Sequence, residues 1–596
     1  MSLQTFLLIF LWLAPLLVRS QFPRACTTDN ALDTRECCPV VIDSSGSSKC
    51  GEVQGRGFCD NVISPAAGRE LKFKLLLDDR IEWPNAFYDK ICRCNANYDG
   101  VNCGKCKPGY VGIYCQEKRP LVIRQNIKMM SSVEVDTFIR SINKSKYTTS
   151  ENYVVLTTSY DRILAGEAPA FSNITIYNLF VWMHYYISRS NFAITEEVYN
   201  NLTTDVGPRD FTNIPLENLQ RFLNNSSNLL VINNDLDYAH EGPSFLPWHR
   251  YFLLKWEEEI RNVVLNSESF GLPYWDWTAS QDCDMCSDEY FGGRNPSDDK
   301  LLSEGSVFSQ WDIICTKLDQ YTLNGQQCAG EKEGPLLRNF GNYDPQRSSD
   351  IPTREEVEQS LRFSTYDTFP YDNSSNQSFR NILEGFADSE NGTAPNHIST
   401  LHNAIHLYMN GTMSLVPSSA NDPLFLVHHV FIDSIYERWL QDKRNSEIFS
   451  PLVNIPGTKV GHRLHDFMVP FFPLVRQVDG FQRSEELGYR YDYIGSKFEN
   501  ESILDQSNHT NDLSGFQEWE KSFWRMSEMK QVLSCPPVIL LLALASESYA
   551  LFYACTTAFS TACHFATKLR KVAKYTEEQG GNVIKEFDLA DTALLL

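Results

Sequence analysis

Positive charge is scarce in this chain: 53 Lys and Arg face 75 Asp and Glu, a formal net charge of -22. A phosphate backbone needs cationic side chains to displace its counterions, so nucleic acid is excluded as a partner. Charged residues make up 21% and hydrophobic ones 42%, which excludes a disordered polymer and fits a globular protein. At 596 residues more than one domain is expected. The apolar run 1–20 is short for a bilayer span and lacks a strongly basic start. It ends in small and polar residues just before Gln21 and reads as a signal peptide, with a buried N-terminal helix as the competing reading.

Cysteine is concentrated rather than abundant. Ten of the 17 lie between Cys26 and Cys115, four between Cys283 and Cys328, and three at Cys535, Cys555 and Cys563. The first fourteen predict seven disulfides formed in an oxidising lumen. Sequons at Asn143, Asn173, Asn201, Asn225, Asn373, Asn376, Asn391, Asn410, Asn500 and Asn508 place the chain in the same compartment, as a glycoprotein. Residues 21–118 carry the tight aromatic-Gly loops of an EGF-like module, too small to bury a core without cross-links. Zinc at Cys103-x-x-Cys106 is the rival reading there.

From about Ile127 to Asp479 helical periodicity takes over, in 176–188, 248–263, 398–409 and 423–441. Near the end, 536–565 is mostly apolar and is followed by Lys568, Arg570, Lys571 and Lys574. That pattern predicts a single-pass anchor, with Glu547 an awkward carboxylate inside it and a buried or interfacial helix as the alternative.

Seven of the 12 histidines fall in three stretches: His184; His240 with His249; and His402, His406 and the doublet His428-His429. His402 and His406 are four apart on a predicted helix, so both rings leave one face a turn apart. With His428 or His429 they form one three-nitrogen set; His184, His240 and His249 form a second. Buried imidazoles need polar partners, and two such sets in apolar surroundings are poorly explained as core filling. Imidazole-only sites suit copper, whereas structural zinc favours thiolates and magnesium or calcium favour carboxylates. Four helices carrying these residues predict a mainly α fold, a four-helix bundle with metal inside. Asp433, a turn beyond His429, is either an acceptor that orients a ligand or an exposed helix carboxylate.

With these residues in view, the chain closely resembles the tyrosinase and tyrosinase-related family of type 3 dicopper proteins. The resemblance runs through QFPRAC, HEGPSFLPWHR, LPYWDW, FRNILEGFA, LHNAIHLYMNGTMS and SANDPLFLVHHVFIDSIYERWL, from Gln21 to about Tyr493. It implies one copper on His184, His240 and His249 and another on His402, His406 and His429, with His428 a neighbour in the substrate pocket and molecular oxygen as co-substrate. It implies that Glu384 and Asn403 hold a water that takes the proton of a bound phenol, which otherwise titrates near pH 10, and that Phe386, Val416 and Ser419 shape the pocket, with Phe386 packed on a second-site imidazole. The doublet and those pocket positions look like the hydroxylating members rather than the zinc tautomerase among the relatives. L-tyrosine and L-dopa would be the substrates, melanin the eventual product, and the melanosome membrane the location, with a lumenal catalytic domain and possible association with related melanosomal proteins. An oxygen carrier and a catalytically silent relative that stabilises a melanosomal complex are the rival readings.

The expected organisation is a signal peptide (1–20), a Cys-rich EGF-like domain (21–118), a dicopper catalytic domain (119–495), a juxtamembrane linker (496–535), a transmembrane helix (536–565) and a cytoplasmic tail (566–596). Two departures stand out. Between His184 and His240 lie 55 residues, far more than in relatives, so 189–230 reads as an insertion. The C-terminal segment also diverges, although Asp591 with Leu595-Leu596 still resembles an acidic dileucine sorting signal.

Overall fold

The computed structural model describes residues 20–493 except 45, 66–77, 165, 194–230, 234–235, 266, 319–320, 322–326 and 443–458. The expected signal peptide apart from Ser20, the expected juxtamembrane linker at 496–535, span at 536–565 and tail at 566–596, and most of the insertion therefore lie outside the described residues. Among the described residues no helix is long and apolar enough to cross a membrane.

The N-terminal part is a cross-linked set of short strands. Strand β1 (Gly57–Asn61) pairs antiparallel with β2 (Lys90–Cys94), which also pairs in parallel with Glu36–Cys37. Five disulfides join Cys26–Cys37, Cys38–Cys59, Cys50–Cys92, Cys94–Cys103 and Cys106–Cys115. Cys103 and Cys106 thus sit in different bridges, and the zinc reading falls. The core of this region is little more than cystine sulfur around Tyr98, which is why a module this small needs its cross-links. Cys283–Cys286 and Cys315–Cys328 complete the seven bridges expected.

The second part is a helical core. Helix α1 (Ser132–Tyr147) opens with a capping box, Ser131 and Glu134 satisfying each other's backbone N–H, and buries Val135, Phe138, Ile139 and Ile142 on one stripe. Helix α2 (Ile176–Ser188) is buried on nearly every side, as its largely apolar and aromatic sequence requires. Helices α3 (Phe245–Glu259), α4 (Phe379–Glu384), α5 (Leu401–Met409) and α6 (Leu424–Gln441) complete the set that matters for the site. Aromatic pairs lock them together; Phe180 of α2 stacks on Trp256 of α3 with centroids 4.8 Å apart and planes at 7°. Strand β3 (Val122–Arg124) lies parallel to a strand near the chain's far end, Tyr489–Tyr491, so both ends of the helical part lie side by side.

Charge runs through this core. Arg124 pairs with Glu257 at 2.9 Å and Asp433 at 3.2 Å; Arg250 pairs with Asp433 at 2.6 Å and Glu437 at 2.9 Å. Tyr489 and Tyr491 both donate their hydroxyls to Asp433. Asp433 is therefore neither an exposed carboxylate nor a ligand-orienting acceptor. Its side chain belongs to an arginine cluster that ties α3 and α6 to β3, and those partners come from sequence positions too distant for local spacing to reveal.

The insertion leaves and returns at one place. Strand β4 (Asn191–Ala193) pairs antiparallel with β5 (Val231–Asn233) in the register Asn191↔Asn233, Phe192↔Ile232, Ala193↔Val231. The ends of 194–230 are thus adjacent, and loop closure costs only about 0.6 kcal/mol per doubling of length. Replacing 194–230 by Asn-Gly is accordingly expected to leave the helical core folded and to stabilise it by no more than about 2–3 kcal/mol. Urea unfolding of the two chains checks this, and a deletion chain that fails to fold contradicts it.

Candidate metal centre

Each histidine set is assembled by helices whose local sequence aims the rings inward. In the second set, α5 presents His402 and His406 one turn apart, and α6 brings His429 across to them. The three Nε2 atoms form a triangle with sides of 3.0 Å (His402–His406), 3.2 Å (His406–His429) and 3.3 Å (His402–His429). The opposite nitrogens settle the protons. His402 Nδ1 faces Asn403 Oδ1 at 2.9 Å and the Glu384 carbonyl at 3.3 Å, and His406 Nδ1 faces the Met413 carbonyl at 2.9 Å. Oxygens that only accept require Nδ1–H, so the Nε2 atoms of His402 and His406 carry bare lone pairs. Burial drives His402 and His429 well below the usual imidazole range and His406 down to about 4, so the rings are neutral near pH 7. Two lone pairs aimed at each other across 3.0 Å repel unless a cation lies between them, and the donor set fits a metal ion.

The first set is built likewise. His249 on α3 donates Nδ1–H to the Phe245 carbonyl at 2.8 Å, and His240, in the loop before α3, turns Nδ1 to the Asp237 carboxylate at 3.0 Å. Both arrangements leave Nε2 for a ligand and fix the tautomer, as metal-binding imidazoles commonly require. Burial lowers the pKa of His184 and His249; for His240 the same burial is outweighed by Asp237, which raises it. The ligand atoms of His184, His240 and His249 lie within 4.8 Å of one another, as do those of the other set. The two sets are neighbours: the His249 and His429 rings stack with centroids 4.6 Å apart.

Both residues of the doublet lie close enough to His402 and His406 to share an ion, but their hydrogen bonding differs. Trp277 Nε1–H donates to His428 Nδ1 at 3.2 Å, so His428 carries its proton on Nε2 and has no lone pair to offer a metal there. His429 Nε2 closes the triangle instead.

Glu384 ends α4, where Gly385 caps the helix at φ 107°. A Cβ at that position would stand 2.2 Å from the Thr400 carbonyl, so glycine lets the turn approach α5 and bring Glu384 beside His402. The carboxylate is buried, accepts the Glu241 N–H at 2.6 Å and pairs with Arg380 at 3.0 Å; burial lifts it to about 7 against the pull of Arg380. It reaches the first set through the residue after His240 and the second through its own carbonyl. Asn403, half-buried, meets the same His402 nitrogen.

The pocket residues separate. Ser419 is buried, its hydroxyl donating to the Val416 carbonyl at 3.0 Å, while Val416 itself is 47% exposed on the same turn. Phe386 is half-buried and, among the described residues, makes no ring contact with a site imidazole. The expected packing is made by other residues. Phe425 stacks on His429 at 3.9 Å, and Phe245 meets His402 edge-on at 4.7 Å. Each of these phenylalanines lies four positions before a site histidine on its own helix, a signal that was available in the sequence.

Two adjacent, buried, imidazole-only sites in a helical core define the class: a binuclear metal protein built on histidine. Residues 175–442 match the tyrosinase family model, described as the common central domain of tyrosinase. Over 474 residues the chain is 43% identical to tyrosinase of Bos taurus, covering 79% of this chain and 82% of that one. Over 483 residues it is 36% identical to 5,6-dihydroxyindole-2-carboxylic acid oxidase of Homo sapiens, covering 80% and 82%. A polyphenol oxidase structure from Thermothelomyces thermophila overlaps 64% of this chain and 90% of its own at 16% identity and a TM-score of 0.38. The chain belongs to the tyrosinase family. It is a copper enzyme of that type, and the family's copper pair fits the two histidine sets.

Proposed function

We propose that the chain o-hydroxylates monophenols such as L-tyrosine and oxidises o-diphenols such as L-dopa to quinones, opening melanin synthesis. One copper is held by His184, His240 and His249, the other by His402, His406 and His429. The observation that carries this reading is the Nε2 triangle with bare lone pairs at His402 and His406. When bound, the copper pair supplies the activation of molecular oxygen and accepts the electrons of the phenol.

The protein's own groups do the rest. Asp237 and the Phe245 and Met413 carbonyls hold three imidazoles in the ligating tautomer before any metal arrives. Phe245, Phe425 and Trp248 wall the rings off from water. Glu384, with Asn403 beside it, takes the hydroxyl proton of an incoming phenol, and its contact with the Glu241 N–H keeps the carboxylate between the two sets. Ser419, Val416 and His428 line the approach. Residues 119–495 form the catalytic domain, 21–118 the Cys-rich domain, and 536–565 the anchor that would leave the catalytic domain in the melanosome lumen. The resemblance and the 43% identity to a tyrosinase support this placement.

Copper-loaded full chain assayed on both substrates tests the reading. In Glu384→Gln, L-tyrosine hydroxylation is expected to fall by roughly 10²–10⁴-fold, the usual worth of a positioned base, and L-dopa oxidation by less than about tenfold. Equal loss on both substrates removes Glu384 from the proton step; an inactive parent removes the oxidase reading.

A further inference from the structure

His184 differs from its two partners. His240 and His249 each have one ring nitrogen held by an oxygen within 3.0 Å, whereas His184 faces the Pro417 backbone and is otherwise packed among rings, Phe425 at 5.1 Å and Trp248 at 6.1 Å. The His184 backbone is carried by α2, and α2 ends at Ser188, three residues before the strand from which the insertion departs.

That helix end is gripped from the N-terminal part of the chain. The last carbonyls of a helix have no partner within it. Here Arg80 supplies one, donating Nη1–H to the carbonyls of Tyr186 at 3.1 Å and Ile187 at 2.9 Å, and Nη2–H to that of Arg189 at 3.0 Å. A cation at a helix C-terminus also opposes the helix dipole. Asp78, 3% exposed, balances the buried guanidinium through Nε at 2.9 Å, and Asp79 takes the Tyr186 hydroxyl and Arg189. The same guanidinium lies over the Tyr238 ring at 5.3 Å, and the Tyr238 N–H donates to the Ile187 carbonyl at 3.2 Å. Tyr238 is on the returning side of the insertion, two residues before His240.

We propose that Arg80 is a positioning residue for the first metal site: it fastens the outgoing end of α2 to the incoming Tyr238 segment, so that His184 and His240 keep their spacing despite the insertion between them. This rests on the reading that His184, His240 and His249 hold one copper. An arginine that merely stabilised the fold would need no contacts on both sides of the insertion. Arg80 bonds the backbone on one side and packs on the ring at the other. The paired strands β4 and β5 begin just beyond this clasp, which isolates the site from whatever the insertion does.

The test loads the full chain with copper and titrates it with a competing chelator, reading stoichiometry and the affinity of each ion. In Arg80→Lys, which keeps the charge and loses the fork, one of the two ions is expected to be held roughly 10–100-fold more weakly, the other unchanged. Deleting 194–230 in the same variant restores the lost affinity. Tyr238→Leu, which removes only the ring on the incoming side, gives the same one-site weakening and decides the matter if Arg80→Lys does not fold. The proposal is overturned if both ions stay as tight as in the parent, if both weaken together, or if the deletion restores nothing. A parent chain that binds no copper takes the metal-site reading down with it, whereas a two-copper parent with unaffected variants refutes the clasp alone.

Discussion

Replacing His429 by glutamine is expected to halve the copper content of the chain and abolish oxidation of L-dopa, whereas the same replacement at His428 leaves both ions bound. The two residues are adjacent on α6, equally apolar in setting and both buried, so composition and exposure give no reason to separate them. The proton does. His429 Nε2 stands 3.2 Å and 3.3 Å from the bare nitrogens of His406 and His402, where a shared cation relieves the repulsion. His428 spends its one lone pair on the indole N–H of Trp277. A glutamine at 428 still offers that indole an amide oxygen, so its cost in stability should stay near 1 kcal/mol. Phenylalanine at 428 leaves the buried indole unpaired and should cost about 1–3 kcal/mol while sparing the metal. Copper analysis by mass spectrometry and urea unfolding of the three variants read these effects separately. Loss of an ion from His428→Gln would overturn the proton assignment on which the second site is drawn.

This contrast shows what could be read before any coordinates. The i,i+4 pair His402 and His406 was legible because helical periodicity alone puts both rings on one face, and seven disulfides followed from counting cysteines in an oxidising compartment. The choice within the doublet was not legible from spacing, since it depends on a tryptophan 151 residues away. Phe386 was assigned a packing role that Phe425 and Phe245 fill. Their spacing to His429 and His249 is the same four-residue step as His402 to His406, so helical periodicity alone makes it legible. The insertion is the opposite case. It lies between two predicted metal ligands, and the pairing of Asn191–Ala193 with Val231–Asn233 brings its ends together, a non-local contact that local sequence does not announce.

Asp433 is where the largest loss of stability is expected. Periodicity placed it one turn past His429, yet its partners come from β3, α3 and the strand Tyr489–Tyr491, joined by folding alone. Burial by itself would raise its carboxyl; Arg250 and Arg124 outweigh that and hold it below the usual carboxylate range. Asp433→Asn keeps the shape and removes the charge, leaving Arg250 with Glu437, whose own carboxyl burial pushes upward, and Arg124 with a Glu257 already shared with Arg261. Breaking such a buried pair costs about 3–5 kcal/mol, a large part of the 5–15 kcal/mol that typically separates folded from unfolded. The sign of its pH dependence follows from the depressed pKa. Stabilisation by Asp433 is fully present above the unfolded carboxyl value of about 3.9 and is lost as pH falls through the lower folded value. The gap between parent and variant should therefore stay constant from about pH 7 to 5 and narrow below about pH 4. Urea unfolding in a chelator, which removes the extra stability a bound ion would add, measures the gap at each pH. A gap that widens on acidification, or one under about 1 kcal/mol at neutral pH, would mean that the arginines find their compensation elsewhere and that the cluster does not hold α3 against α6.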